Sequence, residues 1–306
     1  FPGVYLYDLE QEMAGVPRIT LHEKAGTKII IRYAEVLYPD LPEYAGKEGT
    51  MMLENYRDAT STDVYICRGG EEVFQPKFTF HGYRYIEISG VEHAPELEEV
   101  ESLQYSSVTE FHGSLTSSHK LLNRFAENVS WSQKCNFINI PTDCPQRDER
   151  LGWTGDAQVF FRTATFNRDV QTFFNKWMAD VAAEQYADGA VNGVYPVTHR
   201  SRISAGWGDV ATIIPWQHYM AYGDLRMLER QYPSMKKWVD YITSQTENDL
   251  WSKGNSYGDW VFFSYADDKD GRSAVTIRPF IQQCFYAHSL DLVVRTARLL
   301  GRTEDA

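Results

Sequence analysis

The 306-residue sequence has few of the residues that mark several common functional classes. Its four cysteines (Cys67, Cys135, Cys144 and Cys284) are widely spaced, so no CxxC pair or cysteine–histidine cluster predicts a zinc site. Basic residues are also in deficit, with 30 Lys and Arg against 42 Asp and Glu and a formal net charge of -12. Nucleic acids and anionic membrane surfaces are bound through clustered positive charge, so we expect neither as a partner.

The sequence also lacks the segments that would place it in or across a membrane. It contains no run of about eighteen apolar residues, so no membrane span is expected. The N-terminal residues 1–4 lack the basic and apolar regions of a signal peptide. No phosphate-binding loop, catalytic triad motif or metal cluster is found, so we expect no cofactor and no metal. These absences predict a soluble protein, cytoplasmic or periplasmic, with a neutral substrate.

Tryptophan is absent from the first 130 residues, whereas all eight tryptophans lie between Trp131 and Trp260. Residues 1–108 show short alternating apolar runs separated by turn signals, as at 28–33, 63–67 and 83–88. Strands at this spacing predict an antiparallel β-sandwich. From about residue 109 the apolar period becomes helical, which predicts a mostly α-helical domain over 109–306. The expected class is therefore a multidomain chain, β then α.

The helical region contains two clear apolar stripes. Leu122, Phe125 and Val129 form the first, and residues 170–181 form the second. Further helices are predicted over about 209–222, 234–246 and 278–300, the last with Pro279 in its first turn.

The segment 139–156, NIPTDCPQRDERLGWTGD, concentrates residue types that are used in sugar cleavage. Its prolines and glycines predict a shaped loop, because neither residue suits a continuous helix or strand. Two carboxyl groups can supply an acid and a base, and Trp153 offers an aromatic face for a sugar ring. The alternative is a solvated charge run at 147–150, whose signs cancel. The carboxylates of this segment are Asp143, Asp148, Glu149 and Asp156.

A Gly/Trp/Asp pattern recurs at intervals of about 50 residues, which fits one antiparallel helix pair with its loops. Stacked helix pairs would bring Trp153, Trp207 and Trp260 to one end of a toroid, around a common pocket. The alternative is that Asp156 and Asp209 are simple helix N-caps and that the tryptophans belong to the core. The three occurrences are GWTGD at 152–156, GWGD at 206–209 and GDW at 258–260.

These motifs resemble the signature of the bacterial α-L-rhamnosidases, glycoside hydrolase family 78. The resemblance rests on PTDCPQRDERLGWTGD followed by AQVF, and it extends over nearly the whole chain. It implies a β-sandwich followed by an (α/α)6 six-hairpin barrel, and the hydrolysis of terminal α-L-rhamnose with inversion. The further matching segments are FTFHGYRY at 78–85, GWGD at 206–209, IPW at 214–216, YGD at 222–224 and GDW at 258–260.

The resemblance also implies roles for individual residues. Glu149 corresponds to the general acid, and we expect Asp143 and Asp156 to favour its protonated form by repulsion while Arg147 opposes them. Trp207 and Trp260 correspond to aromatic walls, which suit rhamnose because its C6 methyl gives it an apolar side. The expected catalytic residues are thus Asp143, Glu149 and Asp156, and the expected substrate-binding residues are Arg147, Trp153, Trp207, Asp209 and Trp260.

One feature of the family pattern is missing from the sequence. The resemblance places the general base, a glutamate, late in the barrel and beyond residue 306. At roughly 50 residues per hairpin, the helical region accommodates about four of the six hairpins. We therefore expect part of a longer or split protein that is inactive alone and self-associates through apolar helix faces. Two other functions stay open, an inverting glycosidase of the same toroid acting on another sugar and a non-catalytic carbohydrate-binding protein.

Overall fold

The computed structural model describes residues 3–198, 202–251, 254–260 and 276–306, and the chain divides into two compact units. The first unit comprises Phe1–Thr109 and Leu115–Arg150, and the second comprises Glu110–Ser114 and Leu151–Ala306. The first unit therefore extends beyond the boundary expected near residue 108. Helix α1 (Lys120–Asn136) packs against the first strand, and the loop that follows α1 stays with the sheet.

The first unit is built on one connected antiparallel sheet, which confirms the predicted antiparallel β architecture. The strand order is β3-β2-β5-β1-β4, and β6 also pairs with the long β1. The register between β1 and β5 shifts between Asp8 and Met13. The six strands are β1 (Val4–Leu21), β2 (Lys28–Ala34), β3 (Thr62–Ile66), β4 (Glu72–Phe74), β5 (His81–Ser89) and β6 (Val100–Gln104).

The sheet buries alternate residues of its central strands. Ile29, Ile31 and Tyr33 of β2 are fully buried, as period-two alternation requires when one face of a strand meets the core. The Tyr33 hydroxyl donates to Asp63 at 2.7 Å, and its ring stacks on His81 with centroids 4.0 Å apart. This core supports the loops at the ends of β2 and β5 that contact the predicted site.

The second unit is helical, as predicted. Two of the predicted helices are observed almost to the residue, as α4 and α6. Helix α5 begins earlier than the predicted residue 234, because Asp224 caps it by accepting the Met227 N–H at 3.0 Å and Pro233 is accommodated inside the helix. Within the described residues, the α-helices of this unit are α2 (Thr154–Asn167), α3 (Gln171–Ala183), α4 (Val210–Tyr222), α5 (Leu225–Ser244) and α6 (Arg278–Leu299).

The packing of the helices agrees with only one of the two predicted apolar stripes. On α3, Phe174, Trp177 and Val181 are fully buried, and α4 packs against α2, α3, α5 and α6. On α1, by contrast, Leu122 and Phe125 are exposed. None of the helices in the described residues is both long and apolar enough to cross a membrane.

Candidate active site

The predicted signature loop is held on the sheet unit by bonds at both of its ends. At its start, Thr142 binds back to the Asn136 carbonyl through its N–H at 3.0 Å and its hydroxyl at 3.1 Å. At its end, Arg150 donates to the Phe80 carbonyl at 2.7 Å, and its guanidinium lies 4.2 Å from the Phe80 ring centroid. A β-carbon at Gly82 would lie 2.8 Å from the Gln146 β-carbon, so only glycine permits this close approach of β5 and the loop.

A cluster of charged side chains lies within this loop. Glu149 Oε2 accepts from Arg147 Nη2 at 2.9 Å and from Arg147 Nε at 3.1 Å. Arg147 Nη2 also lies 3.6 Å from Asp143 Oδ2. The side chains of Asp143 and Glu149 are only 7% and 21% exposed. The structure thus brings together three of the residues that the sequence singles out.

Sequence reasoning misses a fourth member of this cluster, Arg57. Its Nη1 donates to Glu149 Oε2 at 3.0 Å, so one carboxylate oxygen receives two arginines. Arg57 and Glu149 are 92 positions apart, and no periodicity or motif links them.

A further carboxyl group of the same unit, Glu35, contacts the loop, and Glu12 lies beside Glu35. Glu35 Oε2 accepts from Gln146 Nε2 and from Asn55 Nδ2, both at 2.9 Å. Burial raises the pKa of Glu35, and burial together with the neighbouring Glu35 raises the pKa of Glu12 to about 8. At neutral pH the Glu12–Glu35 pair therefore holds a proton.

Cys144 lies in the signature loop but is not set up as a nucleophile. It is buried, and burial first and Asp143 second raise the pKa of its thiol to about 11. Ligand-type atoms of Asp143, Cys144 and Glu149 lie within 4.8 Å of one another. Arg147 pairs with both carboxylates there, and a protonated thiol is a poor metal ligand. The donor set therefore suits an ion-pair cluster better than a metal centre.

In the second unit, the three tryptophans of the repeated pattern meet around one ring. Tyr257 contacts Trp207, Trp260 and Trp153 at centroid distances of 4.6, 5.4 and 6.4 Å, each in an edge-to-face arrangement. Trp260 is half exposed, whereas Trp153 and Trp207 are partly buried. Sequence reasoning did not include Tyr257, although its place three residues before Trp260 in SYGDW was a usable signal.

Backbone pairing between the repeated loops explains why these rings meet. Trp153 forms a β-bridge with Val194, directly before α2 begins. Ala205 forms a parallel bridge with Ser256, and the Ala205 N–H donates to the Asn255 carbonyl at 3.1 Å. The loop that carries Trp207 is thereby joined to the loop that carries Tyr257 and Trp260.

The two acids of the repeated pattern lie in different surroundings. Asp209, expected to bind substrate, is fully buried and accepts from Ser289 at 2.6 Å, from Trp238 Nε1 at 3.1 Å and from the Gly206 N–H at 2.8 Å. Burial raises the pKa of Asp209. It therefore holds the turn that carries Trp207 and presents no surface to a ligand. Asp156 is exposed in the first turn of α2.

A cavity of about 810 Å³ lies elsewhere in the helical unit, among α2, α4 and α6. Its lining includes Thr165, Phe166, Met220 and Tyr222, which belong to the C-terminal ends of α2 and α4. Trp153 and Asp209 lie at the opposite, N-terminal ends of these helices. None of the predicted site residues lines the cavity, so chemistry rather than cavity size identifies the candidate site.

The sheet unit and the helical unit have the architecture of a six-hairpin glycosidase domain preceded by a β domain. The family model described as bacterial alpha-L-rhamnosidase 6 hairpin glycosidase domain matches residues 110–306. The model described as bacterial alpha-L-rhamnosidase concanavalin-like domain matches residues 1–106. The chain belongs to the bacterial α-L-rhamnosidase family.

Several relatives and solved structures resemble this chain along nearly all of its length. An alpha-L-rhamnosidase of Formosa agariphila is 45% identical, covering 98% of this chain and 32% of the relative. The structure of the Dictyoglumus thermophilum alpha-L-rhamnosidase is 34% identical with a TM-score of 0.88, covering 100% of this chain and 33% of that one. The Streptomyces avermitilis enzyme, solved in complex with L-rhamnose, is 38% identical with a TM-score of 0.88, and the match covers 98% of this chain and 28% of that one. The chain thus spans about a third of the length of these relatives.

Proposed function

We propose that the protein containing this chain is an α-L-rhamnosidase that removes terminal α-L-rhamnose from glycosides or polysaccharides. The observation that supports this most is the cluster in the signature loop, where Glu149 is held by Arg147 beside the buried Asp143. The relatives named alpha-L-rhamnosidase, at 38–45% identity, support the same substrate class. The proposal requires no metal or cofactor.

Glu149 acts as the general acid in this proposal. Its carboxyl proton passes to the glycosidic oxygen as the bond from that oxygen to C1 of rhamnose breaks, so the aglycone leaves as an alcohol. A water molecule attacks C1 from the opposite face and loses its proton to a carboxylate base, so the anomeric configuration inverts. We assign the acid to Glu149 and assign the base to none of the residues 1–306, since the family resemblance puts the base later in the barrel.

In this proposal the remaining predicted residues other than the buried Asp209 bind and orient the sugar. Arg147 keeps Glu149 in place, and its planar guanidinium suits paired hydroxyl oxygens. Asp143 and Asp156 are proposed to favour the protonated acid or to accept sugar hydroxyls. Trp153, Trp207 and Trp260, fixed around Tyr257, offer apolar faces for the C6 methyl side of rhamnose.

A panel of activated aryl glycosides tests the substrate class. We expect turnover with the aryl α-L-rhamnoside and none above background with aryl glycosides of other common sugars. Because the relatives are about three times as long as this chain, the assay is run on the chain and on any longer form of the protein. Turnover of a different glycoside alone would favour another glycosidase of the same fold, and sugar binding without turnover in every form would favour a carbohydrate-binding protein.

The stereochemical course is tested separately by proton NMR during the first minutes of hydrolysis. Inversion predicts that β-L-rhamnose appears first and then mutarotates. If α-L-rhamnose appears first, the inverting mechanism is wrong while the substrate class stands.

A further inference from the structure

We propose that Arg57, supplied by the sheet unit, is a positioning residue that orients Glu149 for proton transfer. The inference rests on the proposed function, because it gives Arg57 a role only if Glu149 is the acid.

The contact itself is direct and shares an atom with the Arg147 contact. Arg57 Nη1 lies 3.0 Å from Glu149 Oε2, the same oxygen that accepts from Arg147 at 2.9 Å and 3.1 Å. Two guanidinium groups that donate to one oxygen restrict the orientation of the carboxyl group.

The backbone at Arg57 has a conformation that residues other than glycine seldom adopt. Its φ of 58° and ψ of -120° place it in a region where glycine is the usual residue. The turn is closed on both sides, since the Arg57 N–H donates to Glu54 and the Ala59 N–H donates to Tyr56. A charged residue thus occupies a turn position that glycine usually takes.

The turn that carries Arg57 is also tied to the signature loop through a second bridge. Asn55, two residues earlier, shares Glu35 with Gln146, each at 2.9 Å. Tyr56, which lies between Asn55 and Arg57 in the sequence, is fully buried, and its hydroxyl donates to the Gly82 carbonyl at 2.7 Å. These hydrogen bonds fix the position of the turn, and therefore of Arg57, relative to the loop that carries Glu149.

The test compares Arg57→Met, Arg57→Lys and Arg57→Gly with the unmodified protein. On a rhamnoside with an alkyl leaving group we expect Arg57→Met to lower kcat about tenfold or more. On an activated aryl rhamnoside, whose aglycone hardly needs a proton, the loss should be much smaller. Arg57→Lys should restore part of the loss. Arg57→Gly should lower kcat similarly without lowering the Tm, because glycine relieves the backbone strain.

A matched control is available on the same unit. Arg18 pairs with Glu101 at 2.8 Å and is 50% exposed, against 3.0 Å and 53% for Arg57. Arg18→Met should leave kcat unchanged on both substrates. Equal losses on both leaving groups, or no loss at all, would overturn the role of Arg57.

A second measurement separates this inference from the proposed function. If the unmodified protein hydrolyses another glycoside, the same comparison is made on that substrate. If neither the chain nor any longer form of the protein hydrolyses a glycoside, the proposed function fails, and a double-mutant cycle of Arg57→Met and Glu149→Gln on the urea midpoint decides whether the two side chains are coupled. A midpoint shift for the double variant that is smaller than the sum of the single shifts supports the coupling, and additive shifts overturn it.

Discussion

The indole of Trp207 lies directly against the α-carbon of Gly155. A β-carbon at position 155 would lie 2.7 Å from both Nε1 and Cε2 of that indole. Gly155 belongs to the first turn of α2, so the glycine of one repeated loop makes room for the tryptophan of the next.

Replacing Gly155 tests whether the position of the Trp207 indole affects stability and L-rhamnose binding. Alanine favours a helix over glycine by about 1 kcal/mol, whereas overpacking a filled site costs about 1–3 kcal/mol. We expect Gly155→Ala to be destabilising on balance, to change the near-ultraviolet circular dichroism and to weaken L-rhamnose binding. The added change Trp207→Phe, which removes the clashing atoms, should recover stability. Unchanged spectra and affinity in Gly155→Ala would show that Trp207 can move without consequence.

Tyr257 is expected to organise the aromatic cluster through its ring. Each aromatic pair contributes about 0.5–1.5 kcal/mol beyond its buried area, and Tyr257 makes three such pairs. Tyr257→Ala should therefore weaken L-rhamnose binding by about tenfold or more, equal to ~1.4 kcal/mol, in isothermal titration calorimetry. Tyr257→Phe keeps the ring and should stay within about threefold. Equal losses in both variants would assign the effect to the hydroxyl instead.

Asp209 is expected to act through stability. Asp209→Ala leaves the buried donors of Ser289, Trp238 and Gly206 without their acceptor, at a cost of about 1–3 kcal/mol for each buried group left unpaired. Urea denaturation should show a loss of about 3 kcal/mol or more. Asp291→Ala, which removes an exposed helical ion pair with Arg295, should cost at most about 0.5 kcal/mol. Similar small losses for both would mean that the buried network contributes little.

The Glu12–Glu35 pair predicts a pH dependence of stability. The pKa of Glu12 rises from the ordinary value of 4.5 to about 8 in the folded protein. Between these values the folded protein keeps a proton that the unfolded chain releases, so this group lowers stability as pH rises, by up to about 1.4 kcal/mol per pH unit. Burial lowers the pKa of His218, so below about pH 6.5 the unfolded chain binds a proton at this residue that the folded protein does not. His218 therefore makes stability rise with pH in that range, opposite to the effect of Glu12.

The difference in stability between the unmodified protein and Glu12→Gln reports on the Glu12 carboxyl group alone, because the contribution of His218 is the same in both proteins. Urea midpoints at several pH values should show Glu12→Gln gaining relative stability from pH 5 to pH 8. Parallel curves over this interval would contradict the raised pKa.

Local patterns explain how much of the fold the sequence could predict. Period-two runs and the apolar stripe of α3 correspond to buried faces in the structure, because a regular element repeats its contacts at fixed spacing. The start of α5 was misplaced because Pro233 normally begins or breaks a helix, whereas here the Asp224 cap and burial of the helix outweigh that preference.

Two features of the candidate site, the contact of Arg57 and the burial of Asp209, could not be predicted from the sequence, because both depend on residues that are distant in sequence. Asp143, Arg147 and Glu149 were found because they are close in sequence. Arg57 reaches Glu149 only through the tertiary fold, across 92 positions. The burial of Asp209 also depends on Ser289, which belongs to another helix, so a loop motif alone does not show whether its acid faces a ligand or the core.

The assignment of Glu149 as the general acid is the central claim, and the leaving-group dependence of Glu149→Gln tests it most directly. Glutamine keeps the size of the side chain and removes the proton. We predict that kcat falls by about 10² or more on an alkyl α-L-rhamnoside and much less on an activated aryl α-L-rhamnoside. Glu127→Gln, an exposed change on α1, should leave both rates unchanged. Equal losses on the two substrates for Glu149→Gln would contradict the account and assign the acid to another residue.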